Sequence, residues 1–280
     1  MTPTEPPEAM DRPSPLAFVK LEGLGNDFML IDGRHGAPKL SPDAIRRLGD
    51  RRLGVGFDQL LCIHSPRAGH AFDVAIHNAD GSPAEQCGNG MRALAAWLDA
   101  RDELPAEGLD IGTPAGRVRL VRADALDGAP AWSAELPGLE LGAGDATRRD
   151  VRLGNPHRVL RVDQPPDPER LEDARRAQPD AAELNLGIAC VIDRSRIELR
   201  VHERGAGPTP ACGSGACAAA AALIDAGAVD SPVRVEQPGG IVVVDWIPGE
   251  SRVRLTGPAR VVFEGTIAWP TAATNPDPTP

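Results

Sequence analysis

The sequence predicts an α+β protein built as two similar halves, and three observations carry that prediction. Segments with strand character are numerous, whereas only four stretches have helical character: 41–52, 90–100, 168–177 and 216–226. A Cys-Gly-X-Gly phrase occurs twice, at Cys87 and at Cys212, 125 positions apart (212 − 87), which is about one domain length. In each copy the phrase opens an Ala- and Leu-containing helical stretch, with strands before it and a strand-rich segment after it. A Pro- and Gly-rich zone near 125–147 separates the copies and marks the expected crossover.

The strand assignments follow from alternating or continuous apolar runs bounded by Gly, Pro, Asn or Asp. In order they are "LAFVKLEG", "FMLID", "QLLCIH", "FDVAIHN", "GRVRLVRA", "AWSAELP", "HRVLRVD", "IACVID", "IELRVHE", "VRVEQ", "IVVVDW", "RVRLTG" and "ARVVFEGTIAW". The helix at 41–52, "SPDAIRRLGDRR", opens with Ser41 as cap and Pro42 at its first position. Residues 1–15 and 271–280 are polar and Pro-rich and are read as disordered tails. Residues 16–130 form the expected first half, carrying Cys87 and completed by a C-terminal strand at 260–270. Residues 131–259 form the second, carrying Cys212.

Composition narrows the class. The chain has 280 residues, 41% apolar and 25% charged, with a formal net charge of −10 and no Lys/Arg run. That excludes an extended nucleic-acid or anionic-membrane surface. No apolar run approaches the roughly 18 residues of a membrane span, and no signal peptide is visible, so the expected location is cytoplasmic with reduced thiols. Zinc and dithiol redox chemistry need C-x₂-C spacings that are absent, although a transient disulfide between the motif cysteines is geometrically open. "GNGMRA" and "GSGACA" fit a dinucleotide fingerprint, yet no strand ends directly before either first glycine. Lys20 and Lys39 are the only lysines, and both lie in or beside N-terminal strands, which disfavours a pyridoxal-phosphate Schiff base. No cofactor or metal is expected.

A helix start carries unpaired N–H groups and partial positive charge, and glycine there lets a ligand approach the backbone. Each motif is therefore a seat for an anion, and the same field is expected to lower the pKa of its thiol. Two such thiols suit inversion of a stereocentre: one removes the Cα proton, and the other delivers a proton to the opposite face. Cys62, Cys190 and Cys217 sit in apolar contexts and read as buried small residues.

"KLEGLGNDFMLID", "HNADGSPAEQCGNGMRAL", "GNPH" and "HERGAGPTPACGSGACAAA" resemble the diaminopimelate epimerase family, in the family's order and over roughly 18–269. Proline racemases and hydroxyproline epimerases share the two-thiol logic but carry His where this chain has Asn89. The resemblance implies a mixed β-sheet wrapped around a central helix in each pseudo-symmetric half, an active site in the cleft, and a homodimer. It implies interconversion of LL- and meso-2,6-diaminoheptanedioate, for lysine and peptidoglycan precursors, with Cys87 as base toward the LL isomer and Cys212 as acid. His157 and Glu203 would adjust the thiols' acidity. Asn26, Gln59, Asn78, Asn155, Asn185, Glu203 and Arg204 would contact the substrate, Arg204 through its distal carboxylate. Gly88, Asn89, Gly213 and Ser214 would offer N–H groups to the reacting carboxylate. His202 stands where the family usually has Tyr, and Pro210 where Gln or Leu is common. Two alternatives remain at this level: a two-thiol racemase of another amino acid such as histidine, or a non-catalytic amino-acid-binding or thiol-redox sensor protein.

Overall fold

The computed structural model describes residues 14–269 except 37 and 68. The tail assignments lie outside the described residues, apart from Ser14 and Pro15, which open the first strand. The first half contains β1 (Ser14–Gly23), β2 (Asn26–Asp32), α1 (Pro42–Gly49), β3 (Gln59–His64), β4 (Asp73–Asn78), β5 (Pro83–Ala84), α2 (Gly88–Asp99), β6 (Leu109–Thr113), β7 (Gly116–Leu126) and β8 (Ala129–Leu136). The second contains β9 (Leu139–Gly144), β10 (Arg148–Leu153), β11 (Asn155–Val162), α3 (Pro168–Arg176), β12 (Asn185–Asp193), β13 (Arg196–Glu203), β14 (Gly207–Thr209), α4 (Gly213–Asp225), β15 (Val233–Gln237), β16 (Gly240–Trp246) and β17 (Val253–Pro258). β18 (Arg260–Trp269) then returns to pair with β1.

Ladder pairing exposes the repeat. The first half runs β18–β1–β2–β3–β4–β6–β7–β8, and the second runs β9–β10–β11–β12–β13–β15–β16–β17. In each, the same two pairings are parallel: β2–β3 and β4–β6 in one, β11–β12 and β13–β15 in the other. The equivalent strands β8 and β17 pair antiparallel and join the halves. A cut at 130/131 would run through the β7–β8 hairpin; the chain leaves the first half at Pro137–Gly138, where Gly138 takes φ +81°.

Each set of strands wraps one helix. α2 is buried on every side from Gly88 to Leu98, and packs against β1, β2, β7, β8, β17 and β18. α4 buries all of Gly215 to Ile224 and touches β9 to β13 and β15 to β17. Apart from Asn89 and Arg92 in α2, the buried faces of both helices are apolar, and such a helix has nowhere to go but a core. The run of alanines in α4 makes it a thin cylinder that strands can approach closely. Outside the sheet, α1 covers Leu16, Phe18, Met29, Ile31 and Leu60 with Ile45 and Leu48 in a second, smaller core.

Most predicted elements occur where expected, with instructive exceptions. Ser41 Oγ accepts the Ala44 N–H at 3.2 Å and starts α1, but the helix stops at Gly49. Asp50 leaves the helical region, and its carboxylate takes the Arg52 and Leu53 N–H groups, so 50–53 is a turn. The strands β5, β6, β9, β10 and β14 carry no clear sequence signal: they are two- or three-residue bridges, or are interrupted by Gly or charge ("LDIGT", "LELGAG", "RRDVRL").

Candidate active site

Both motif cysteines are helix caps. Cys87 takes extended backbone angles before α2, and its Sγ accepts the Gly90 N–H at 3.2 Å; Cys212 does the same before α4, accepting from Gly215 at 3.3 Å. The thiol stands where Ser or Asp usually caps a helix. With the third amide of each helix committed to sulfur, the first two, Gly88 and Asn89 in α2 and Gly213 and Ser214 in α4, have no intrahelical acceptor. The two starts abut. A Cβ on Gly213 would lie 3.1 Å from the Asn89 backbone N and 2.7 Å from its Oδ1, and a Cβ on Gly88 would lie 3.9 Å from the Gly213 carbonyl carbon. Asn89 Nδ2 reaches the Ala211 carbonyl at 3.4 Å, across the boundary between halves. Four amides at the positive ends of two helices thus converge on one seam, which suits a carboxylate.

The close approach gives a stability prediction. Gly213→Ala forces apart two helix starts whose intervening side chain, Asn89, is held by other bonds, and should cost about 1–3 kcal/mol. Gly88→Ala should cost less, because the nearest atoms are the methyl ends of Leu255 and Leu136. Thermal melting of both variants checks the order; equal melting temperatures would contradict the seam geometry.

Electrostatics depart from the sequence expectation. Helix starts lower thiol pKa values in half-exposed sites, but Cys87 is 8% and Cys212 4% exposed. Burial pushes the Cys87 thiol up to about 12 and the Cys212 thiol well above its ordinary value, overriding the amide hydrogen bonds that oppose the shift. The Glu203 carboxyl raises both further and lies against Cys212, while burial holds its own pKa above the usual carboxylate range. Thr209 Oγ donates to Glu203 at 2.6 Å. His157 is buried on β11, with its Nε2 unpaired and its pKa lowered by burial to about 4, so it is uncharged at neutral pH. It makes no hydrogen bond to either thiol among the described residues.

The remaining expected site residues fall into two matching clusters. In the first half, Gln59 Nε2 donates to Asn78 Oδ1 at 3.0 Å, and Asn78 Nδ2 donates to Ser82. Asn26 donates to Asp58 at 2.7 Å and accepts from Asn89 at 3.4 Å. In the second, Asn185 Oδ1 accepts the Arg204 N–H at 2.8 Å, and Asn155 Oδ1 faces Arg204 Nη2 at 3.5 Å. Register makes these rows equivalent: Phe28, Gln59 and Asn78 lie side by side, as do His157 and Asn185, with Glu203 one residue beyond the Leu186–His202 pair. Arg204 is exposed and pairs with no carboxylate among the described residues, Glu203 having turned to Thr209.

Sequence reasoning missed three residues that shape this seam. Gln237 Oε1 accepts the Cys212 N–H at 2.9 Å, Asp58 anchors Asn26, and Arg92 holds Asn89 Oδ1 at 2.6 Å. Gln237 and Asp58 lie outside the motifs of their partners, whereas Arg92 shares the "CGNGMRAL" phrase with Asn89. Only Arg92 had a visible signal: a strong cation inside an otherwise apolar helical stretch.

Known proteins resemble the chain along nearly its whole length. The family profile described as Diaminopimelate epimerase matches residues 18–125 and 150–262. The diaminopimelate epimerase of Halorhodospira halophila is 42% identical, over 92% of this chain and 97% of that protein. The O-ureido-serine racemase of Streptomyces lavendulae is 41% identical over the same shares, 92% and 97%. Among solved structures, a hydroxyproline epimerase from Agrobacterium vitis superposes with a TM-score of 0.66 at 14% identity, covering 92% of each chain; at that identity the likeness concerns the fold.

Proposed function

The chain belongs to the diaminopimelate epimerase family, and from that premise we propose that it is an isomerase interconverting LL- and meso-2,6-diaminoheptanedioate through Cys87 and Cys212. One observation carries the reading: two cysteine-capped helix starts, one from each half, abut with four unpaired amides between them. The substrate carboxylate binds the Gly88, Asn89, Gly213 and Ser214 N–H groups, which places Cα between the sulfurs. The Cys87 thiolate takes the Cα proton of the LL isomer, and the electron pair of that bond spreads onto the carboxylate. The Cys212 thiol gives its proton to the opposite face and is left as thiolate. Running backward exchanges the two roles. Both thiols are neutral when buried alone, so the substrate ammonium, arriving beside them, supplies the positive charge that favours one thiolate. Glu203, against Cys212, and neutral His157 adjust the acidity of the pair.

Asn26, Gln59, Asn78, Asn155 and Asn185 hydrogen-bond the distal amino-acid end, and Arg204 clamps its carboxylate. Overall identity does not separate this substrate from that of the Streptomyces racemase, 42% against 41%, so the assignment rests on Arg204 pairing with no carboxylate among the described residues. The thiols supply both proton transfers, and the reading requires no cofactor or metal. The product serves lysine and peptidoglycan precursor synthesis, and we place the enzyme in the cytoplasm as a homodimer. Among the described residues no helix is long and apolar enough to cross a membrane. For a dimer contact, β18 offers Val262 and Phe263, each about half exposed (47% and 48%), on a strand whose ladder partner among the described residues is β1.

Solvent isotope tests the reaction. Incubated with meso-2,6-diaminoheptanedioate in D₂O under reductant, the enzyme should install deuterium at Cα as the LL isomer accumulates. Protium retained at Cα, with the protein folded and reduced, would exclude proton abstraction.

A further inference from the structure

The two central helices break their repeat at one buried place. The offset that carries Cys87 onto Cys212 carries Arg92 onto Cys217. Both residues are fully buried, at 0% exposure, and the guanidinium lies close enough to Cys217 to act on its thiol. Arg92 Nη2 donates to Asn89 Oδ1 and Nη1 to the Pro258 carbonyl, both at 2.6 Å. No carboxylate pairs with it among the described residues, and its Nε is buried without a partner. Space is cut for it: a Cβ on Gly257 would lie 2.8 Å from Nη1. Burial lowers the guanidinium to about 10, so it still carries its charge at neutral pH.

A buried cation without a counter-ion is costly, and an apolar side chain of similar volume would fill the same space more cheaply. What the arginine does is local and one-sided. Through Asn89 it ties the start of α2 to Asn26 and, across the seam, to the Ala211 carbonyl beside Cys212. The groups facing Cys87 are Arg92 on its own helix, Glu203 at the end of β13 and Asp58 just before β3. The side chains facing Cys212 are Glu203 and the Ser214 hydroxyl. Glu203 acts on both thiols in the same direction, Asp58 opposes ionisation of Cys87 and the Ser214 hydroxyl favours that of Cys212, so Arg92 is the cation that works the other way, toward Cys87.

We propose that Arg92 is a positioning residue that makes the two thiols inequivalent, seating Asn89 across the seam and favouring ionisation of Cys87 over Cys212. The inference rests on the two-thiol reading above but is tested without turnover. Substrate-free protein is alkylated with brief iodoacetamide pulses from about pH 8 to about pH 12.5, a range that reaches the raised Cys87 midpoint, and the extent at each cysteine is read by peptide mapping. The pH midpoint is compared rather than the rate, because the two thiols differ slightly in exposure. In the wild-type protein the Cys87 midpoint should lie below that of Cys212. Arg92→Gln should raise the Cys87 midpoint by about one unit, a tenfold loss of thiolate at a given pH, and leave Cys212 where it was. Arg92→Lys, which keeps the cation, should preserve most of the difference. Wild-type midpoints that coincide or are reversed would overturn the proposal whether or not Arg92→Gln folds. So would a folded Arg92→Gln protein that labels like wild type. Unequal midpoints in a protein that epimerises nothing would refute the reaction and leave the inequivalence standing; equal midpoints in an active epimerase would refute the inequivalence alone.

Discussion

Cys87→Ala and Cys212→Ala each reduce epimerisation by at least about 10³-fold, toward the upper end of what a positioned acid or base contributes. The interest lies in what separates a chemical from a structural cause. Both sulfurs cap helices, so alanine removes an acceptor for the Gly90 or Gly215 N–H and should cost about 1 kcal/mol of stability. Serine restores that acceptor, and is the better cap, yet a hydroxyl does not ionise in the range where a thiol does. Cys87→Ser and Cys212→Ser should therefore melt at or above the temperature of the alanine variants and remain as inactive. The single variants also differ from each other. With Cys212 gone, the Cys87 thiolate can still remove and return a proton on one face, so the LL isomer should slowly exchange its Cα hydrogen for deuterium without inverting. With Cys87 gone, the same exchange should move to the D-configured centre of the meso isomer. A serine variant retaining near-normal epimerisation would show that its sulfur is a cap and nothing more.

That distinction marks the limit of what sequence reveals. The helix cores were legible because their apolar character is continuous, and β3 and β15 were legible to the residue because "QLLCIH" and "VRVEQ" are bounded by clear breaks. β9 and β10 were not, since a strand held by its neighbours tolerates glycine and charge that a local pattern penalises. The cysteines announced themselves by repetition. The matched rows of Gln59 with Asn78 and His157 with Asn185 did not, because pairing across strands is a property of register rather than of spacing. The thiol acidity was read in the wrong direction for a related reason. The helix start is visible in the chain, whereas the burial that outweighs it is contributed by distant residues such as Leu136 and Leu255, which crowd the Gly88 turn. Arg92 was passed over because one cation in an alanine-rich helix looks like a solvent-facing position until the second half closes on it.

Arg204→Leu lowers kcat/KM for 2,6-diaminoheptanedioate by about 10²–10³. The side chain ends in a free guanidinium whose backbone is fixed by the Asn185 amide and whose head is steadied by Asn155. A distal carboxylate would meet a fork already oriented for two parallel hydrogen bonds, each worth about 1.5–3 kcal/mol when charge-assisted. Arg204→Lys should recover only part of the loss, because an ammonium offers charge without the fork. Because Arg204 is exposed and has no ion pair among the described residues, neither substitution should change stability by more than about 0.5 kcal/mol. Lysine, which lacks the distal carboxylate, discriminates the substrate. If the clamp recognises that group, wild-type enzyme should racemise lysine poorly, and Arg204→Leu should slow it no further. An Arg204→Leu enzyme within threefold of wild type on diaminoheptanedioate would remove the argument for a doubly zwitterionic substrate. The two thiols would then serve a shorter amino acid, as the 41% identity to a racemase of another substrate permits.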